Sequence, residues 1–80
     1  MTIELVKILE AAKFYNNRSM KMYNYAEKAE QENNREDYEI YWNWCREIDE
    51  RCKGLLEAYE IMTGKKICTY EIEKELATML

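Results

Sequence analysis

The sequence predicts an all-α protein: a long antiparallel αα-hairpin plus a short C-terminal helix, a three-helix bundle with the capacity to dimerise. Three observations carry that prediction. Apolar residues recur at alternating spacings of three and four along most of the 80 residues, the mark of an a/d seam on packed helices. Proline is absent and Gly54 and Gly64 are the only glycines, so few positions would stop a helix. No stretch longer than about five residues shows the period-2 alternation that a strand requires.

Residues 1–80 are expected to form a single helical domain. A chain this short buries only about 60% of its unfolded surface. It therefore needs very good helix packing, a staple or a partner subunit.

Helix 1 is expected over about residues 3–31, with Thr2 as its N-cap. Leu5, Ile8, Ala12, Tyr15, Ser19, Met22, Ala26 and Ala29 hold one heptad frame. Val6, Leu9 and Tyr23 widen its apolar stripe. Ala12, Ser19 and Ala26 are small residues at consecutive a positions, which permits a bulkier helix to approach closely. The stretch YNNRS, residues 15–19, favours caps and turns. The frame runs through it unchanged, so one continuous helix is expected. The stretch QENNRE, residues 31–36, reads as a turn, with Asn33 or Asn34 able to take a left-handed conformation. So short a connection makes the two long helices antiparallel neighbours.

Helix 2, about residues 35–63, is the most regular element. Tyr38, Tyr41, Cys45, Ile48, Cys52, Leu55, Tyr59 and Met62 form an unbroken seam. Asn34 with Asp37 three residues later approximates a capping box. Glu36, Asp37 and Glu39 lie in the first turn, where the helix dipole favours acids. Gly64 closes the helix as a C′ glycine. At about 1.5 Å per residue the helix is roughly 43 Å long.

Helix 3, about residues 70–79, follows the crossing KKICT. Thr69 is its expected cap and Ile67 the anchor of the crossing. Ile72, Leu76 and Met79 or Leu80 form its one apolar stripe. It either folds back on the hairpin or projects into another subunit.

YEIYWNWCREIDERC, residues 38–52, concentrates two Tyr, two Trp and two Cys. Most of it reads as packing. Cys45 and Cys52 are two turns apart, about 10 Å by helix rise, too far for a disulfide. They read as small buried hydrophobes. The tyrosines read as seam residues with hydroxyls at the bundle edge. Trp42 and Trp44 do not fit: they lie on opposite flanks of the seam, Trp44 together with Ile40. Ile40, Trp42 and Trp44 are therefore the candidate partner-binding residues, to be covered by a further helix, a second copy or another protein.

Charge is uneven. Residues 1–22 carry four bases and two acids, residues 23–63 five bases and eleven acids, and residues 64–80 three of each. An acidic central segment with a mildly basic first segment suits antiparallel self-association or a basic partner. It disfavours nucleic acid, which calls for a basic stripe. No apolar run approaches the ~20 residues of a membrane span. Met1-Thr2-Ile3-Glu4 leads straight into an amphipathic pattern without a signal-peptide n-region or h-region. The expectation is a cytoplasmic protein with reduced thiols.

Catalytic chemistry is hard to find. Without His the chain lacks the commonest general base and metal ligand, and Glu-x-x-His di-metal pairs are impossible. No glycine-rich phosphate loop is present. Nucleophilic catalysis needs a general base beside the thiol, and seam cysteines in a chain without His are not expected to have one. No enzyme, metal or cofactor is expected. Three functions fit: a protein–protein interaction module, partnered by itself or another protein; a phage or mobile-element inhibitor of a host nucleic-acid enzyme; and an RNA-binding hairpin. Abundant Glu, Lys, Asn, Ile and Tyr suit an AT-rich bacterial or mobile-element origin. For the third function, the layout resembles, in architecture alone, the dimeric plasmid copy-control hairpins of the Rop family. That resemblance implies RNA binding, and Lys7, Lys13, Arg18 and Lys21 are the clustered bases on helix 1.

Overall fold

A computed structural model describes residues 2–79 as three α-helices and one 3₁₀ turn. Helix α1 spans Thr2–Gln31, α2 spans Arg35–Thr63, the 3₁₀ turn Thr69–Glu71 follows, and α3 spans Ile72–Met79. The described residues contain no strand. Leu80, the alternative end of the third apolar stripe, lies outside them. Thr2 is already helical, one residue before the expected start. The Asn16-Asn17 segment is unbroken helix, because the heptad frame keeps its packing face continuous across two polar residues.

The turn uses the residues the sequence supplies. Asn33 takes the left-handed conformation, with φ 57°, at the small strain Asn tolerates there. The Asn34 N–H donates back to Ala29 O at 2.8 Å. Asn34 Oδ1 accepts from the Asp37 N–H at 3.2 Å, and Asn34 Nδ2 donates to Asp37 Oδ2 at 2.8 Å. The pair closes through side chains, where a capping box would return to the Asn34 backbone. At the far end Gly64 adopts φ 73° and donates its N–H to Glu60 O at 2.6 Å. That left-handed position is where a side chain would be strained.

The two long helices meet along the a rows. Cys52 Sγ donates to Ala12 O at 3.3 Å. Cys45 Sγ donates to Ser19 O, and Ser19 Oγ to Cys45 O, both at 3.4 Å. Side chains this small leave each thiol within reach of the opposite main chain. Ala12, Ser19, Ala26 and Cys52 are buried and Cys45 is half-buried.

The d rows are different. Ile8, Tyr15, Met22, Tyr41, Ile48 and Leu55 are all half-buried, and Ala29 alone among the d residues is buried. Tyr38, on the a row near the turn, is also half-buried. Met62, expected in the seam, is corrected to an exposed residue at 42%. It lies level with the first residues of α1, so little of α1 extends past it to cover it.

Helix α3 folds back along α1. Ile67, Ile72 and Leu76 join Leu9, Ala12, Cys52 and Tyr59 in one core, with Val6, Leu56 and Met79 at its edge. Lys13 Nζ meets Glu73 at 3.2 Å on that side. Thr69 is not the cap of this element. Cys68, extended at φ −95° and ψ 164°, precedes the turn, and its N–H donates to Glu71 Oε1 at 2.9 Å. Placing the acid three residues on let Cys68 fill the cap position without a hydroxyl.

Candidate protein interaction surface

Heptad lettering now places each flank. Beside the a row runs the e row, with Leu9 and Tyr23 on α1 and Trp42 and Leu56 on α2. Beside the d row runs the g row, with Ala11, Arg18 and Tyr25 on α1 and Trp44, Arg51 and Ala58 on α2. Antiparallel helices pair e with e and g with g. The Tyr23 and Trp42 rings lie 6.1 Å apart on the e side. Tyr25 lies 5.4 Å from Tyr41, which meets Trp44 edge-on at 6.0 Å, on the d/g side.

Helix α3 covers the lower half of the e side through Leu9 and Lys13, and the segment before it crosses Leu56. The d/g side has no such cover along the hairpin. With that side open, only Ala29 of the d residues is buried, whereas Ala12, Ser19, Ala26, Cys52 and Tyr59 of the a residues are.

The three candidate residues therefore do not form one cluster. Trp42 is 37% exposed, stacked on Tyr38 at 6.4 Å and 6° and flanked by Tyr23. Trp44 is 51% exposed and Ile40 41% exposed, together on the d/g side one turn apart. The same side carries Tyr25, which sequence reasoning missed. Its signal was available: Tyr25 falls on the g row of the helix 1 frame, the row that faces Trp44. Arg51 lies over the Tyr15 ring at 6.0 Å, so a cation sits in the middle of this face with its stem on an aromatic. The half-buried d residues, Trp44 and Tyr25 together make a continuous apolar strip.

The chemistry elsewhere is quiet. Cys52 is buried, and burial, with Asp49 nearby, pushes its thiol pKa up. Cys45 is half-buried and Cys68 exposed. Among the described residues no three Asp, Glu or Cys side chains converge as metal ligands. No described helix is long and apolar enough to cross a membrane. Glu75, 9% exposed, is a buried carboxylate, but it is satisfied. It accepts from Lys65 Nζ at 2.7 Å and from the Tyr59 hydroxyl. The Lys65 bond, then the Tyr59 bond, hold its pKa below the usual carboxylate value. Such a latch fixes α3 and offers no reacting group.

No protein-family model, curated protein or solved structure matches the chain.

Proposed function

We propose that this protein is a non-enzymatic protein–protein interaction module, working through the uncovered d/g face of its helical hairpin. The observation that carries the proposal is the asymmetry of cover: α3 closes the lower half of one side, and the other presents a half-exposed row from Ile8 to Leu55 with Trp44 and Tyr25 beside it. Contiguous apolar surface rimmed by charge is the usual mark of a protein contact. Aromatic residues and Arg51 supply the residue types enriched at binding hot spots.

Site-specific photo-crosslinking in the native host tests this. A photoreactive residue at Trp44 should yield polypeptide adducts, while one at Asn43, on the polar outer row, should yield few. Equal yields from the two positions would overturn the proposal.

A second reading, a phage or mobile-element inhibitor of a host nucleic-acid enzyme, has one observation in its favour. Glu36, Glu39, Glu50, Glu57 and Glu60 line the outer surface of α2. Such a surface suits a basic groove on a target. RNA binding has weaker support, because Lys13 is engaged with Glu73 on the α3 side, away from Lys7, Arg18 and Lys21.

A further inference from the structure

Resting on that reading of the d/g face, we infer that its occupant is a second copy of this chain, docked with two-fold symmetry so that both hairpin turns lie at the same end. Three independent features argue for it.

The first is area. The chain exposes 6073 Å² at a mass of 9.7 kDa. The scaling for compact monomers gives about 5100 Å² at this mass. The surplus, about 950 Å², is close to the ~800 Å² that each partner buries in a standard interface. The molecule measures 47 × 20 × 17 Å, an elongated shape with a long flank along the hairpin. A second copy laid side by side along that flank buries it without lengthening the long dimension.

The second is charge and register. The α1 border of the face carries Lys7, Arg18, Lys21 and Lys28 against Glu4; the α2 border carries Asp37 and Glu47 against Arg51. The pairs Ser19–Cys45 and Ala12–Cys52 set the levels of the two helices. By those levels Asp37 stands beside Lys28, and Glu47 beside Arg18, each within about one residue's rise of ~1.5 Å. A two-fold axis parallel to the helices keeps every residue at its level and places α1 of one copy across from α2 of the other. Asp37 and Glu47 then face Lys28 and Arg18 of the second copy. An axis perpendicular to the helices would set α1 against α1, base against base, which costs affinity.

The third is Gly54. It lies in the middle of α2, where glycine weakens a helix. A Cβ built there meets nothing within 4 Å in a single copy, so the hairpin's own packing does not require it. In the parallel-axis arrangement Gly54 lies level with Ala11 of the second copy. Glycine opposite alanine permits close approach at the edge of the contact.

Sedimentation equilibrium from micromolar to near-millimolar concentration tests the proposal on the full chain. The wild type should sediment at twice 9.7 kDa. Trp44→Glu should sediment as a monomer with unchanged helical circular dichroism, because Trp44 is half-exposed in one copy and folding does not depend on it. Trp42→Glu, on the other side of the hairpin, should remain dimeric. A nitroxide on Asn33→Cys in a Cys68→Ser background reports the axis. A short spin–spin distance is expected, and one near the 47 Å length of the molecule would overturn the arrangement. A dimer broken by Trp42→Glu and not by Trp44→Glu would overturn the choice of face. A monomeric wild type overturns the second copy as occupant. In that case an anilinonaphthalene sulfonate dye separates the two levels: binding lost in Trp44→Glu would leave the interaction face standing, whereas equal binding to both proteins would sink that reading as well.

Discussion

The Tyr59 hydroxyl donates to the Glu75 carboxylate across sixteen residues of sequence, and this bond ties the last turns of α2 to α3. Burial, then the Glu75 bond, pushes the Tyr59 pKa up to about 12 from 10.0. A raised pKa means that folding favours the protonated phenol. Its contribution is complete below pH 10 and is lost as pH rises toward 12. Two units correspond to about 2–3 kcal/mol. Glu75 behaves oppositely. Its lowered pKa contributes stability above pH 4.5, lost as pH falls through the folded value. Chemical denaturation against pH should show α3 weakening at both extremes, and Tyr59→Phe should shrink the alkaline arm. An unchanged alkaline arm in Tyr59→Phe would sink the assignment.

Removing one partner of that bond should cost more than removing a surface pair. Glu75→Ala leaves a buried hydroxyl without an acceptor, a loss of about 1–3 kcal/mol. Disrupting the exposed Arg35–Glu39 pair by Glu39→Ala should change stability by less than ~1 kcal/mol. Urea melts of both variants check the contrast.

The two sides of the seam should differ in cost. Leu9, fully buried beneath α3, should lose about 2–5 kcal/mol on truncation to Ala. Leu55→Ala and Ile48→Ala, measured in the Trp44→Glu background where the face stays open, should each lose less, because part of each side chain already meets water. Equal losses at all three positions would mean that the d row is sealed within one copy.

Thiol reactivity should rank Cys68 first, then Cys45, with Cys52 slowest. Only the thiolate reacts, and Cys52 is both buried and raised in pKa. Timed modification with an aromatic disulfide reagent under native conditions gives the order directly. Rapid loss of Cys52 without unfolding would contradict the buried core.

Asn17 and Asn34 have the same side chain and opposite expected behaviour. Asn34→Ala removes a cap hydrogen bond and should cost about 1 kcal/mol. Asn17→Ala, in the exposed interior of a continuous helix, should be neutral or slightly stabilising. Thermal melts distinguish the two.

Much of this architecture was legible in the sequence, and for a particular reason. The heptad frame is a geometric repeat, so Cys45 and Cys52 could be placed in the seam before any coordinates. The bounds of α2 followed from Asn34 and Gly64, whose side-chain chemistry and lack of a side chain, respectively, mark helix ends. The frame also separated Trp42 from Trp44. It did not reveal which side α3 would take. That choice rests on Tyr59, Lys65 and Glu75 meeting, three residues with no periodic relation. With the side of α3 unknown, the open face stayed unknown, and the g-row position of Tyr25 could not be tied to it. The 3₁₀ turn was hidden for a similar reason: Thr69 has the better capping side chain, but the backbone extends at Cys68 and draws Glu71 to it.

Helix α3 has eight residues, well short of the ~12–15 at which isolated helices become marginally stable in water. It therefore exists as a helix only while docked, so folding and docking of this segment are one event. Amide hydrogen exchange across residues 72–79 should then report a single opening rate, set by release of Glu75 together with Ile72 and Leu76. Each such opening uncovers Leu9 and Tyr59, so the hairpin carries a second apolar surface in reserve beneath α3.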